Sequence, residues 1–99
     1  MTYKLFIDDE RNPPDNTWIV TRSSSNALEY IRNNGMPNFI SFDHDLGGDD
    51  TTMIFLKNLV DNVWNGTDSP PDYKVHSANP VGSLNIISFM ESWKKSLCN

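Results

Sequence analysis

The alternation of short apolar runs with helical patterns predicts an α/β layered fold with a mainly parallel sheet of four strands. The elements follow one another in the order β, β, α, β, α, β, α, and strands that alternate with helices usually lie parallel in one sheet. A length of 99 residues suits one hydrophobic core, which predicts a single domain over residues 1–99. A hydrophobic content of 37% that includes three tryptophans is typical of a folded chain.

The first two strands are predicted at residues 3–7 and 18–20, where apolar runs are bounded by polar segments. The connection between them has only about ten residues and contains Pro13 and Pro14. Parallel strands are normally joined by a dozen residues or more. The connection is therefore either an extended loop or a hairpin, and the sequence leaves both open.

The first helix is predicted between the serines at 23–25, which are N-cap candidates, and a stop signal at Gly35 and Pro37. Its apolar face consists of Ala27, Leu28 and Ile31. The next run, residues 39–42, is short and almost wholly apolar. Such a run is typical of a strand that is covered on both faces.

The second helix is predicted from a cap at Thr51 or Thr52 to a stop at Asn65 and Gly66. Its apolar stripe consists of Phe55, Leu56, Leu59, Val60, Val63 and Trp64. These residues repeat with the period of an α-helix, so one side of the helix is expected to be apolar. A connector rich in turn residues then leads to a fourth strand at residues 73–77.

A long amphipathic helix closes the chain. Asn79 can cap this helix, and Pro80 suits its first position. Its predicted apolar stripe consists of Val81, Leu84, Ile87, Met90, Trp93 and Leu97. Because Trp64 and Trp93 both lie on apolar helix stripes, these two tryptophans are expected in the core and not at a ligand.

The charge and the cysteine content limit the possible partners. With 13 acidic and 8 basic residues, the net charge is −5, which repels the phosphates of duplex nucleic acid. No apolar run is long enough to cross a membrane. Cys98 is the single cysteine and cannot form an internal disulfide, so a reducing cytoplasm is the expected compartment.

Polar clusters directly follow three of the predicted strands, at residues 8–11, 43–45 and 76–79. The carboxyl ends of parallel strands lie along one edge of a sheet, and ligands bind in the crevice there. Each cluster alone could be a solvated turn or a helix cap. Two histidines and at least two aspartates at one predicted edge favour a functional site.

The residue types in these clusters suit a metal ion and a phosphate. Asp8 or Asp9 together with Asp43 offers the oxygen ligands that Mg²⁺ or Mn²⁺ prefers. Arg11 can clamp a phosphate with two hydrogen bonds. The helix N-terminus at Asn79 is a natural anion seat.

Three segments of the chain resemble a known family, namely residues 5–11 (LFIDDER), 41–48 (SFDHDLGG) and 75–80 (VHSANP). They look like the cyclic-phosphate-processing receiver domain, a compact relative of the two-component receiver domain, and the resemblance runs from Lys4 to about Ile87. It implies a compact receiver-like (flavodoxin-like) sandwich. The first helix and the fifth strand of ordinary receivers find no match in the chain.

The resemblance also implies roles for individual residues. Asp8 and Asp9 resemble the metal-binding acids of receivers, Asp43 the phosphorylated aspartate, and Ser77 the switch serine or threonine. The lysine that completes an ordinary receiver site has no counterpart, since Lys94 and Lys95 fall on the final helix. Phosphoacceptor signalling is therefore not expected, and the additional histidines are what the cyclic-phosphate family implies.

The predicted function is that of a metal-dependent phosphoesterase that opens cyclic phosphates on nucleotides or on RNA ends with a 2′,3′-cyclic phosphate. Two histidines can serve as general base and general acid near neutral pH. The assigned residues are His44, His76 and Asp43 for catalysis, Asp8, Asp9 and Asp43 for Mg²⁺ or Mn²⁺, Arg11, Ser77 and Asn79 for phosphate, and Asp45 for orienting a histidine.

Two alternatives remain open at this stage. The substrate could be a cyclic nucleotide second messenger. The domain could also be a degenerate receiver that binds a nucleotide, a metal or a protein partner without catalysis. The sequence does not indicate an oligomeric state.

Overall fold

A four-stranded parallel sheet and three helices make up the fold in the computed structural model, which describes residues 2–66 and 68–96. The strands are β1 (Lys4–Ile7), β2 (Trp18–Thr21), β3 (Phe39–Phe42) and β4 (Asp72–Val75). The helices are α1 (Ser24–Asn34), α2 (Thr52–Asn58) and α3 (Pro80–Ser96). The predicted α/β class with a parallel sheet is confirmed. Leu97 and Cys98, which the sequence analysis singled out, lie outside the described residues.

The sheet has the order β2-β1-β3-β4, and all three pairs of neighbouring strands are parallel. β1 and β2 are therefore joined by an extended loop, and a hairpin is ruled out. Backbone hydrogen bonds continue past the strand ends, from Asp8 N to Thr21 O, from Asp43 N to Ile7 O and from His76 N to Phe42 O. These bonds bring the polar residues that follow β1, β3 and β4 side by side.

The hydrophobic core lies on one face of the sheet. On this face Leu5, Ile7, Ile40 and Phe42 pack in one cluster with the buried apolar residues of all three helices. Successive side chains of a strand point to opposite faces, so the alternate strand residues lie on the other side. That side carries no helix in the part of the chain described. Ser41 of β3 is nevertheless buried there, so the predicted cover on the second face of this strand comes from side chains and not from a helix.

We call this second side the open face. Its strand residues are Lys4, Phe6, Trp18, Val20, Phe39, Ser41, Asp72 and Lys74. The open face lacks a helix because a loop, and not a helix, joins β1 to β2. A right-handed helical crossover from β1 to β2 would lie on this face of the sheet. Phe6 and Ser41 are nevertheless buried, since the side chains of Trp18 and His76 lie next to Phe6.

The second helix changes its winding before it ends. α2 is followed by a π-helical segment, Leu59–Val63, and the backbone of Trp64 is extended. The helical path therefore stops just before the predicted stop at residues 65 and 66. The predicted stripe of this helix faces the core: Phe55, Leu56 and Leu59 are buried, and Val60, Val63 and Trp64 pack against them.

α3 is rotated relative to its predicted orientation. Val81 and Leu84 are 68% and 67% exposed, and Ile87 is 39% exposed, so the first half of the predicted stripe faces solvent. The buried residues of α3 are Gly82, Ile86, Met90 and Trp93. The predicted stripe and the buried residues both have spacings of three and four, so periodicity alone does not separate them. The buried face begins at Gly82, which has no apolar side chain and therefore gives no hydrophobic signal in the sequence. None of the helices in the described ranges is both long and apolar enough to span a membrane.

Candidate metal and phosphate site

Asp8 is the most tightly held carboxylate at the carboxyl edge of the sheet. Its side chain is only 1% exposed, and Oδ1 accepts hydrogen bonds from the backbone N–H groups of Glu10 (2.9 Å) and Arg11 (2.8 Å). The other oxygen, Oδ2, lies 2.9 Å from His76 Nε2. Burial would raise the pKa of Asp8, but the hydrogen bonds from Arg11, Glu10 and His76 lower it below its usual value.

Asp8, Asp9 and Asp43 form an acidic cluster. One carboxylate oxygen from each lies within 4.8 Å of the other two. Burial and the neighbouring charge of Asp8 raise the pKa of Asp43. Hydrogen bonds from the backbone of His44 and from Ser77 partly oppose that rise. Three oxygen donors at this separation suit the ligand preference of a hard divalent cation, and these are the three carboxylates that the sequence placed at one edge of the sheet.

The acidic cluster opens into a cleft of about 440 Å³. The lining residues are Asp8, Asp9, Glu10, Arg11, Asp43, Asp45, Gly47, Gly48, Ser77, Ala78 and Asn79. The cleft thus brings together the predicted metal ligands, the predicted phosphate ligands and Asp45. Gly47 and Gly48 have φ of 93° and 55°, a backbone conformation that glycine adopts readily. A Cβ at Gly47 would lie 3.4 Å from Asp9 Oδ2, so this turn passes next to the Asp9 carboxylate.

His76 lies beside the cleft, on the open face of the sheet. Its ring stacks on Phe6 with a centroid separation of 4.6 Å and an interplanar angle of 8°. Nδ1 is 2.7 Å from the Ser41 hydroxyl, and Nε2 is 2.9 Å from Asp8. Both ring nitrogens therefore have protein partners, and one of these partners, Asp8, belongs to the acidic cluster.

His44 lies on the α3 side of the site. Its Nδ1 is 3.1 Å from Asp45 Oδ1, and its ring packs against Gly82 so closely that a Cβ at Gly82 would lie 2.3 Å from His44 Cγ. Neither imidazole lines the cleft. The structure thus gathers the predicted aspartates around one space and places the two histidines behind them, on opposite sides.

The predicted phosphate ligands have different partners in the structure. Arg11 Nη1 donates to the backbone oxygen of His76 at 3.0 Å, which links the first and last clusters. Ser77 Oγ accepts from the backbone N–H of Asn79 at 3.0 Å. Asn79 Oδ1 accepts from Gly82 N at 2.9 Å and so caps α3, as its position predicted.

Sequence reasoning missed three residues that support the site. Ser41 and Phe6 hold the ring of His76, and Arg22 donates from Nη1 to the backbone oxygen of Asp8 at 3.1 Å. Arg22 also donates from Nη2 to Asn12 Oδ1 at 2.7 Å, which secures the loop that carries the acidic residues. Side chains alternate between the two faces along β1 and β3, so this alternation could have placed Phe6 and Ser41 on the same face. No local pattern identifies Arg22.

The parallel sheet with an acidic cluster at the carboxyl ends of its two central strands defines a receiver-like α/β protein. Within this class, the chain belongs to the cyclic-phosphate processing receiver domain family, whose model matches residues 3–92. The match confirms the resemblance found in the three sequence segments and extends slightly beyond it at both ends. Neither the curated proteins nor the solved structures provide a match to the chain.

Proposed function

We propose that this domain is a metal-dependent phosphoesterase that opens cyclic phosphates, either on nucleotides or on RNA ends with a 2′,3′-cyclic phosphate. The observation that carries the proposal is the convergence of the Asp8, Asp9 and Asp43 oxygens within 4.8 Å in a cleft that Arg11 also lines. Membership of a family that processes cyclic phosphates supports the substrate class. The reaction adds water across one P–O ester bond of the ring and yields a phosphomonoester and a free hydroxyl group.

The acidic cluster fits a divalent cation for an electrostatic reason. Three carboxylates at this separation repel one another, as the raised pKa of Asp43, caused by burial and by Asp8, indicates, and they would also repel a phosphate. When bound, Mg²⁺ or Mn²⁺ would neutralise this charge, polarise the phosphate oxygens and acidify a water molecule. Asp8, Asp9 and Asp43 would hold the ion, and Arg11 with Ser77 would hold the phosphate.

The contacts of His76 favour a positioning role over direct proton transfer to the substrate. Ser41 and Asp8 occupy its two ring nitrogens, and Phe6 covers one ring face. In that position His76 holds the Asp8 carboxylate through its Oδ2 atom, as outer partners of metal ligands commonly do. His44 lies next to Asp45, which does line the cleft, so any contribution from His44 to proton transfer would pass through Asp45.

The proposal is tested with a panel of cyclic nucleotides. The purified domain is incubated with 2′,3′-cyclic and 3′,5′-cyclic nucleotides in the presence of Mg²⁺, Mn²⁺ or a chelator, and the products are separated by chromatography. We expect hydrolysis of the 2′,3′-cyclic compounds with metal only, and loss of that activity in Asp9→Asn. Asp61→Asn, which changes an exposed acid on the π-helical segment, is the matched control and should retain activity.

Two outcomes of this panel would contradict the proposal. Hydrolysis restricted to 3′,5′-cyclic compounds would favour second-messenger removal. Metal binding without hydrolysis of any compound would favour the non-catalytic module.

The positioning role of His76 makes a separate prediction. His76→Ala should raise the Mg²⁺ concentration needed for the half-maximal rate by roughly 10- to 100-fold, because loss of an outer partner weakens metal binding by about that factor. Saturating Mg²⁺ should then restore most of the rate. If the Mg²⁺ midpoint stays at the wild-type value while the saturated rate falls about 100-fold or more, His76 transfers a proton directly.

A further inference from the structure

We propose that the open face binds the single-stranded RNA that precedes the cyclic phosphate. This inference rests on the proposed function, and it specifies the substrate: the preferred substrate is an RNA end and not a free nucleotide. Bases stack on Trp18 and Phe39, and backbone phosphates pair with Lys4 and Lys74.

The open face offers aromatic surface that the core does not use. Trp18 and Phe39 are only partly buried and do not belong to the core cluster. Their ring centroids are 5.8 Å apart at an interplanar angle of 75°, and Val20 beside them is 36% exposed. Unpaired nucleic acid binds to such platforms because every base has an aromatic face that can stack on a side chain.

The positive charge of the open face is unusual for this chain. The net charge is −5, yet Lys4 Nζ lies 4.4 Å and Lys74 Nζ 5.5 Å from the centroid of the Trp18 ring. Of the acidic residues nearby, Asp72 is held by Lys94 at 3.0 Å. Two lysines around an aromatic ring combine the phosphate contacts and the stacking surface that a single strand requires.

The charges of Lys4 and Lys74 act on a neighbouring carboxylate, that of Asp15. Hydrogen bonds from Thr17, together with the charges of Lys4 and Lys74, lower the pKa of its carboxyl group. Asp15 is exposed on the loop between β1 and β2, and its carboxylate accepts hydrogen bonds from Thr17 and not from the lysines. The negative charge of Asp15 therefore partly offsets the charges of Lys4 and Lys74 that would attract RNA.

The open face leads directly to the acidic cluster. Phe6 on this face stacks on His76, which contacts Asp8. Lys4, which pairs with Trp18 in the sheet register, lies about four residues before Asp8, or roughly 13 Å at about 3.3 Å per residue. That distance accommodates on the order of four stacked nucleotides at about 3.4 Å each.

The buried Nε1 atom of Trp18 provides a further reason for a ligand at this face. Among the described residues it has no hydrogen-bond partner, whereas most buried polar groups have one. No hydrogen bond thus fixes the ring in its place. A small rotation of the ring towards a base or phosphate acceptor would supply the missing partner.

A second copy of the chain is a less suitable occupant. A two-fold contact through this face would use the same patch on both copies. It would therefore bring the pair Lys4 and Lys74 of one copy close to the same pair of the other. RNA complements that charge, and the neighbouring phosphate site gives it a defined end.

The first experiment measures binding without turnover. Fluorescence anisotropy records the affinity for labelled oligouridines of one to eight nucleotides that end in a 3′-hydroxyl group. We expect the affinity to rise with length up to about four or five nucleotides. Trp18→Ala should weaken binding of the five-nucleotide oligomer about fivefold or more, since base stacking on an aromatic side chain contributes about that factor or more. Lys4→Gln should also weaken it and reduce its salt dependence, because it removes a contact to a phosphate.

Variants with opposite or neutral expectations serve as controls. Asp15→Asn should tighten binding, because it removes the negative charge that partly offsets the lysines. Trp18→Phe keeps an aromatic ring and should retain most of the affinity, which separates stacking from a folding defect. Lys57→Gln removes an exposed lysine of α2, away from the open face, and should bind as the wild type does.

The second experiment compares hydrolysis of a 2′,3′-cyclic mononucleotide with that of a five-nucleotide RNA ending in the same group. We expect kcat/KM to be higher for the RNA, and Trp18→Ala to lower it for the RNA only. Equal values for both substrates, with unchanged binding by the variants, would overturn the RNA assignment while the proposed function stands.

Two further results would separate the proposals. RNA binding through the open face without hydrolysis of any cyclic end would overturn the proposed function and leave the binding surface in place. A dimer in light scattering that Trp18→Ala dissociates would show that a second copy occupies the face, and would overturn this inference.

Discussion

Two neighbouring carboxylates of the site have opposite pKa shifts, and the reason lies in their partners. Asp8 is buried, yet hydrogen bonds from Arg11, Glu10 and His76 stabilise its ionised form, so its pKa is lowered. Asp43 is affected by burial and by the charge of Asp8, so its pKa is raised. Asp8 therefore stabilises the fold above its unfolded pKa of about 3.9, and that contribution is lost as the pH falls through the folded pKa. For Asp43 the sign is reversed, because its ionised form is disfavoured in the folded state.

Asp43→Asn should therefore stabilise the metal-free domain while it removes a proposed metal ligand. At pH 7.5 the variant should melt about a few degrees above the wild type, since a change of 1 kcal/mol shifts Tm by about 4–8 °C in a domain of this size. The difference should shrink as the pH falls and Asp43 becomes protonated, which happens at a higher pH than for an ordinary aspartate because its pKa is raised. Differential scanning calorimetry in chelator measures both effects, and a lower Tm for the variant at pH 7.5 would contradict the argument.

At the scale of elements, three backbone segments determine where the site residues lie. The extended loop after β1 is held by Arg22, the turn after β3 passes through Gly47 and Gly48, and α3 begins at the Asn79 cap. The first turn of α3 packs against His44 through Gly82. The orientation of α3 thus depends on the absence of a side chain at position 82.

Gly82→Ala should destabilise the domain, although alanine is the better helix former. An added Cβ would lie 2.3–2.8 Å from the Cγ, Cδ2 and Cβ atoms of His44. Overpacking of this kind costs about 1–3 kcal/mol, against about 1 kcal/mol gained in helix propensity.

Urea denaturation measures the change in the free energy of unfolding for Gly82→Ala and for its matched double variant. The double variant, Gly82→Ala with His44→Ala, lacks the Cγ and Cδ2 atoms of His44 and so removes two of the three close contacts of the added Cβ. It should recover part of the stability that Gly82→Ala loses. A double variant that loses the sum of the two single effects would show that the contact with His44 is not the cause.

At the scale of the whole molecule, the two faces of the sheet differ in what covers them. One face carries all three described helices and the core, and the other is open and leads to the acidic cluster. A small domain buries a limited fraction of its surface, so a half-covered sheet leaves little stability in reserve. A ligand that binds only the folded state then has a large effect on that stability.

Mg²⁺ should raise the melting temperature of the whole domain if the acidic cluster binds it. At a concentration 100-fold above Kd, the stabilisation is about 2.7 kcal/mol, which corresponds to a shift on the order of 10 °C. Asp43→Asn should show a much smaller shift, and Asp61→Asn the full shift. Equal shifts for the wild type and Asp43→Asn would place the ion elsewhere.

Local sequence patterns were sufficient to predict the type and order of the helices and strands, and to predict which aspartates come together in the acidic cluster. A strand followed by Asp8 and Asp9, and another followed by Asp43, must place these side chains at one edge once the strands are parallel. The same patterns could not determine the direction of β2, because a loop of about ten residues permits either direction. They also left the face of α3 undecided, because spacings of three and four fit both Val81 and Gly82.

The surroundings of the histidines depend on contacts between segments that are distant along the chain. His76 meets Asp8, Ser41 and Phe6 only after β4, β1 and β3 have paired. The open face likewise exists because no described helix packs there, which depends on the sheet order and not on any one strand. Sequence periodicity reports which side of an element is apolar, whereas the partner of each side is decided when the elements pack together.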